Sequence, residues 1–185
     1  MKNKELTFIT GNVDKAKYLA DYFHMTIAHK KIDLPEIQSL ELREVVEDKA
    51  QRAFAEVGKP VLVEDVSVTF EAMNNLPGPF IKWFEKSLGN EGVCRLLDGK
   101  SNRNATAEVM FGYCDGNEVQ VFSGMVKGRI ATEPRGEGGF GWDKIFINEG
   151  FEKTRAEMSE EEWHEFGMRK IALEKLATFL DTLPV

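Results

Sequence analysis

The stretch Pro60-Val61-Leu62-Val63-Glu64-Asp65-Val66-Ser67 decides how the rest of the chain is read. Three apolar residues after a proline, ending in two carboxylates, predict a buried strand that delivers Glu64 and Asp65 to the end of a sheet. In open α/β sheets the carboxyl ends of parallel strands face the ligand crevice, so this pair is a candidate metal or catalytic site. The same residues fit a plainer reading in which Asp65 caps a turn and Glu64 is solvated.

Upstream, Leu6 to Thr10 reads as a first strand and Gly11-Asn12 as a turn. Ala16, Leu19, Ala20 and Phe23 then fall at i, i+3, i+4 and i+7, one apolar face of a helix. A strand ending in Thr10-Gly11-Asn12 at a helix N-terminus offers backbone N–H groups and a favourable dipole to an anion, with Lys15 a turn further on. It is not a P-loop, which needs a longer glycine-rich loop ending in Gly-Lys-Ser/Thr. Thr26 to Lys31 reads as a second strand, followed by Leu34-Pro35-Glu36 in a loop, where Glu36 is either a ligand-facing carboxylate or surface. Leu42, Val45, Val46, Ala50, Ala53, Phe54 and Val57 trace the next helix stripe, and Lys49 falls inside it. A lysine there either snorkels outward or meets an anion.

Downstream, Val68 to Phe70 continues the extended chain and residues 74–79 form a turn-rich loop. A helix opening at Pro79 is expected to bury Phe80, Trp83, Phe84 and Leu88, with Lys82 off that face. Gly89 to Asp98 reads as a short helix with Val93, Leu96 and Leu97 inward. Ala105 to Cys114 and Asn117 to Val126 read as a hairpin joined by a two-residue Asp115-Gly116 turn, extending the sheet into a second lobe. Arg135 to Gly141 is a glycine-rich loop running into Trp142-Asp143. Phe140 and Trp142 there are flat surfaces for stacking on a planar base, with Asp143 accepting from base N–H groups, or else aromatics that plug the core. Ser159-Glu160-Glu161-Glu162 is a capping box opening the last helix, whose buried face is Phe166, Leu173, Leu176, Ala177 and Leu180. Arg169 shares that face and needs a carboxylate partner or a ligand.

With 185 residues and 42% hydrophobic content, residues 1–185 are expected to form a single domain, with room for two lobes. A net charge of −7 disfavours a duplex-binding face, because phosphate neutralisation supplies the affinity of such proteins. No apolar run is long enough for a transmembrane helix, and the N-terminus leads into a strand without a signal-peptide core. The expectation is a soluble, cytoplasmic protein with no nucleic-acid or membrane partner. Cys94 and Cys114 have neither metal-ligand spacing nor disulfide density and read as ordinary thiols.

Taken in order, Thr10-Gly11-Asn12-x-x-Lys15, Leu34-Pro35-Glu36, Val63-Glu64-Asp65, Leu76-Pro77-Gly78-Pro79-Phe80-Ile81-Lys82-Trp83-Phe84, Phe140-Gly141-Trp142-Asp143 and Thr154-x-Ala156-Glu157-Met158 resemble the inosine triphosphate pyrophosphatase family over nearly the whole chain. The resemblance implies a two-lobed α/β fold around a long mixed β-sheet with flanking helices, usually dimeric, with the nucleotide in a cleft between the lobes. It implies Mg²⁺-dependent hydrolysis of a non-standard purine nucleoside triphosphate, such as that of inosine or xanthosine, to the monophosphate and pyrophosphate. By position, Thr10, Gly11, Asn12, Lys15, Lys49 and Lys82 would hold phosphates, and Glu36 and Asp65 the metal. Asp65 would also position or deprotonate the attacking water. Phe140, Gly141, Trp142, Asp143 and Arg169 would surround the base.

The last helix departs from that pattern. The family carries a lysine and an asparagine, and further on Ser-His-Arg; this chain has Trp163-His164 and Gly167-Met168-Arg169. Lys144 stands where proline is usual. Trp163 and Met168 replace polar neighbours with bulk and apolar surface, so the base preference is expected to be weakened or redirected. The same change motivates an alternative function: a catalytically silent nucleotide-binding or sensor protein on the same fold.

Overall fold

The computed structural model describes residues 6–24 and 27–183. Its elements run β1 (Thr7–Ile9), α1 (Val13–Phe23), β2 (Ala28–Lys30), α2 (Leu42–Val57), β3 (Val61–Phe70), β4 (Pro77–Gly78), α3 (Ile81–Arg95), β5 (Asn104–Cys114), β6 (Gln120–Ile130), β7 (Phe146–Asn148), α4 (Glu160–Glu165) and α5 (Met168–Thr182), with short 3-10 turns between some of them. The strands form one seven-stranded sheet in the order β2-β1-β3-β5-β6-β7, with β4 paired to β3. β1 is parallel to β2 and β3, whereas β4 is antiparallel to β3 and β7 to β6, so the sheet is mixed as expected. The chain divides into two compact units. The first comprises the residues up to Asp65, Met110–Ser123 and the residues from Leu173 on; the second comprises Val66–Val109 and Gly124–Ala172.

The first unit is organised by β3. Val61, Val63 and Ile9 pack with Leu42, Val46, Ala50 and Ala53 of α2 in one apolar cluster. Each fully buried valine or leucine contributes roughly 1.5–3 kcal/mol relative to its exposed state, and this is what places α2 over the sheet. α1 starts where the Asn12 side-chain oxygen accepts from the N–H groups of Asp14 and Lys15. α2 stops at Gly58, in the left-handed conformation. Tyr113 and Phe122 close around Phe179 of α5, with ring centroids 5.2 and 5.1 Å apart.

The core of the second unit includes Phe70, Ile81, Val93, Leu97, Val109, Ile130, Ile145 and Phe146. Arg103 holds the end of α3, donating to the carbonyls of Cys94 and Leu97 and to those of Ile130 and Ala131. Cys94 and Cys114 are buried free thiols, and burial pushes the Cys94 thiol up to about 11.

The sequence reading needs four corrections. Glu64 and Asp65 lie inside β3 rather than at its end, since the extended chain expected over Val68 to Phe70 belongs to the same strand and Val66, Val68 and Phe70 continue the buried pattern. The hairpin between β5 and β6 turns over residues 115–119, five rather than two, since the Asp115 carboxylate accepts from the Asn117 N–H and closes a wider turn. α3 buries Ile81, Val93 and Cys94 instead of Trp83 and Leu88. It starts at Ile81 and breaks at Gly89 (φ 67°, ψ 170°), so one unbroken 3.6-residue period from Pro79 does not apply, and Trp83 is left 51% exposed. The last helix is two helices, α4 and α5, parted at Phe166-Gly167, and Phe166 is exposed. The Ser159 capping box itself is formed as expected. β2 covers Ala28–Lys30 of the expected strand, whose Thr26 lies outside the described residues.

Candidate active site

Ile9, the last residue of β1, pairs with Val63, so Glu64 and Asp65 lie just past the end of this parallel pairing. The pleat turns neighbouring side chains to opposite faces of the sheet, and each carboxylate meets a helix lysine there. The Lys15 Nζ of α1 is 3.1 Å from Glu64 Oε1. The Lys49 Nζ of α2 is 2.9 Å from Asp65 Oδ2 and 2.9 Å from Glu36 Oε1. Burial pulls against the Lys49 charge, but the Asp65 and Glu36 carboxylates outweigh it and hold its pKa above the usual lysine range. Lys49 therefore does not simply snorkel along its stripe. It ties the loop carboxylate to the strand carboxylate.

Glu36 and Asp65 both reach one point cation with carboxylate oxygens. Such hard oxygen donors suit a divalent metal that keeps several of its own waters or phosphate oxygens and needs only one or two protein carboxylates. Among the described residues no three His, Cys, Asp or Glu side chains gather as a larger ligand set. The residues present fit a hard, oxygen-preferring divalent cation.

The Thr10-Gly11-Asn12 turn closes on itself. Thr10 Oγ1 accepts from the Asn12 N–H at 3.0 Å, and Asn12 Oδ1 accepts from the Asp14 and Lys15 N–H groups at 2.9 and 3.2 Å. An anion at this helix end would take those donors over from Asn12. Lys82 belongs to the second unit, is exposed, and holds its ammonium 5.6 Å from the Trp83 ring centroid.

Also in the second unit, Phe140 is flanked by aromatic and cationic groups. The Arg169 guanidinium lies 5.0 Å from its ring centroid, and the Trp163 ring is tilted against it at 5.8 Å. Trp142 turns inward onto Phe146 at 5.6 Å and is buried, which is the core-plugging alternative rather than the stacking one. The Gly141 carbonyl accepts from Asn90 Nδ2 at 3.0 Å. Asp143 is buried with both oxygens engaged: Oδ1 accepts from Arg155 Nε at 2.9 Å, and Oδ2 from the Phe140 N–H at 2.9 Å and from Trp163 Nε1 at 3.0 Å. A side chain at position 139 would strike that carboxylate, and Gly139 also has φ +64°, so glycine is required there. Met168 is 2% exposed and is a core residue.

A family model described as the Ham1 family matches residues 6–179. The chain belongs to the Ham1 family. A curated relative from Trypanosoma cruzi, named inosine triphosphate pyrophosphatase 2, is 42% identical over 92% of this chain and 89% of its own. A dITP/XTP pyrophosphatase from Methanopyrus kandleri is 40% identical over 94% of each chain. Among solved structures, the Staphylococcus aureus Ham1 protein superposes with a TM-score of 0.83 at 25% identity, covering 96% of this chain and 98% of the other. A Ham1 protein from Coxiella burnetii does so at 0.82 and 26% identity, with the same coverage.

Glu36 and Asp65, expected at a metal, and Lys49, expected at phosphate, lie together in this Ham1 chain, whereas Glu64, read with Asp65 as a candidate metal or catalytic pair, is paired with Lys15. The sequence reading missed Arg155, the residue left as x in Thr154-x-Ala156-Glu157-Met158. Arg155 is one of only two buried arginines among the described residues and pairs with Asp143. The signal is electrostatic: a carboxylate as buried as Asp143 requires a counter-charge.

Proposed function

We propose that this chain hydrolyses a non-standard or modified purine nucleoside triphosphate, deoxy or ribo, to the monophosphate and pyrophosphate. The observation that carries the reading is the convergence of Glu36 and Asp65 on Lys49 at 2.9 Å each. The names of the relatives at 40–42% identity, which are pyrophosphatases of inosine triphosphate and of dITP and XTP, point the same way. In this reading the triphosphate is served by Thr10, Gly11, Asn12, Lys15, Lys49 and Lys82, and the base by Phe140, Gly141 and Arg169. Trp142 and Asp143 serve as supports of that loop.

Glu36 and Asp65 would hold Mg²⁺, which when bound neutralises phosphate charge and orients the anhydride. Asp65 positions the attacking water and accepts its proton. The bond from water oxygen to the α-phosphorus forms, the bond from the α-phosphorus to the bridging oxygen breaks, and pyrophosphate leaves with that oxygen. Charge builds on the phosphoryl and leaving oxygens, where Lys15, Lys49 and Lys82 are the available ammonium groups. Lys49, freed from its two carboxylates, is then available to phosphate. Arg169 carries only donors, so it favours a carbonyl oxygen on the base over an amino group.

A homodimer and a cytoplasmic location belong to this reading. Among the described residues no helix is long and apolar enough to cross a membrane. The test is a panel of inosine, xanthosine, adenosine, guanosine and pyrimidine triphosphates with Mg²⁺, scored for pyrophosphate against orthophosphate. Pyrophosphate from a 6-oxopurine nucleotide is the expected first product, and orthophosphate first would place the scissile bond elsewhere. Sedimentation velocity checks the dimer.

A further inference from the structure

Arg155 and Asp143 form a buried ion pair, each side chain 4% exposed, with Nε 2.9 Å from Oδ1. The same guanidinium donates to the Trp163 carbonyl at 3.1 Å and the Phe166 carbonyl at 3.3 Å, satisfying carbonyls at the end of α4. Its carbon also lies 5.5 Å from the centroid of the Trp163 ring. Asp143 holds the other end of the same tryptophan through the indole N–H at 3.0 Å. Trp163 is thus gripped at its backbone, its ring and its N–H by one ion pair, and its ring packs against Phe140.

We infer that Arg155 is a positioning residue for base selection in the proposed nucleotide site. The inference rests on the pyrophosphatase reading. A carboxylate facing the Watson–Crick edge of a purine pairs best with guanine, which presents two adjacent donors, N1–H and the 2-amino group. Hypoxanthine presents only N1–H, and adenine presents an acceptor at N1. Arg155, Trp163 and the Phe140 N–H take three of the roughly four lone-pair directions of Asp143. With one direction left and the residue only 3% exposed, the carboxylate cannot take both donors of guanine, the standard base most like hypoxanthine. The aromatic surface of Phe140 and Arg169, a donor-only group, suit any 6-oxopurine without rewarding a 2-amino group.

The test is the ratio of kcat/KM for inosine triphosphate to kcat/KM for guanosine triphosphate, both measured on one preparation with Mg²⁺. Any loss of folded enzyme cancels in this ratio, so a merely structural role does not move it. Arg155→Met is expected to lower the ratio about tenfold, a magnitude within reach of one altered polar contact. Arg155→Lys, which keeps the charge at Asp143 but not both carbonyl tethers, is expected to restore part of it. Trp163→Phe, which removes the indole N–H together with part of the ring, is expected to lower it by a smaller factor. Should Arg155→Met give no active protein, Arg155→Lys and Trp163→Phe decide the matter. Ratios within about twofold of the unmodified protein in every active variant would reduce Arg155 to a structural ion pair and leave the pyrophosphatase reading standing. No pyrophosphate from either nucleotide with the unmodified protein would overturn both.

Discussion

The two units each hold a carboxylate against a cation, but in different surroundings. Lys49 joins Asp65 and Glu36 with side chains 22%, 18% and 36% exposed, whereas Arg155 and Asp143 are each 4% exposed. Ion pairs in contact with water contribute little to stability and can exchange partners. A buried pair resists exchange, because removing one partner strands a charge in low dielectric. The first arrangement suits groups that must let go of each other when a charged substrate arrives, and the second suits a frame that must not move. The raised pKa of Lys49 fits the same division. Its contribution to stability is complete below the ordinary lysine pKa and is lost only as pH rises through the higher folded value, so Lys49 stays charged across neutral pH.

The contrast can be broken by mutation, and the largest effect is expected on the buried side. Arg155→Met should lower unfolding free energy by about 3–5 kcal/mol in urea denaturation, and adding Asp143→Leu should recover much of it. A loss under about 1 kcal/mol would mean the pair is no more anchored than a surface one. Asp65→Asn should lower kcat by about 10² or more while the melting temperature hardly changes, because it removes charge without changing volume. More than about half the activity retained would remove Asp65 from the centre of the site. Lys49→Met should raise KM about tenfold with little loss of stability, since methionine packs acceptably in the α2 stripe. Unchanged kinetics would show that Lys49 only ties Glu36 to Asp65. The smallest effect concerns Glu85, whose carboxyl is pushed up by burial and then by the nearby Asp143 charge. A carboxyl whose folded pKa is raised opposes folding once it ionises, so Glu85→Gln should raise Tm by about 1–2 °C at pH 7 and leave it unchanged near pH 4.

The legible parts of this protein were those set by local pattern. The Val61-Leu62-Val63 run, the α2 stripe and the Ser159 box each follow from spacing within one element, and each is where it was expected. Lys49 was conspicuous because a cation on an apolar face breaks the pattern. Arg155 breaks no pattern: it sits in a three-residue 3-10 turn with no period to violate, and its partners lie 8 to 12 residues away in the chain. Trp142 was left open between a stacking surface and a core plug, and Met168 was read as apolar surface near the base; side-chain direction, which composition does not encode, turns both into the core. The misplaced face of α3 has the same origin, since the break at Gly89 resets the helical phase.

The measurement that tests the central claim most directly is hydrolysis of inosine triphosphate in ¹⁸O-labelled water with Mg²⁺, with the products separated by mass. If Asp65 directs water onto the α-phosphorus, the label appears in the nucleoside monophosphate and none appears in the pyrophosphate. Label in the pyrophosphate would show attack at the β-phosphorus and contradict the site assigned to Glu36, Lys49 and Asp65.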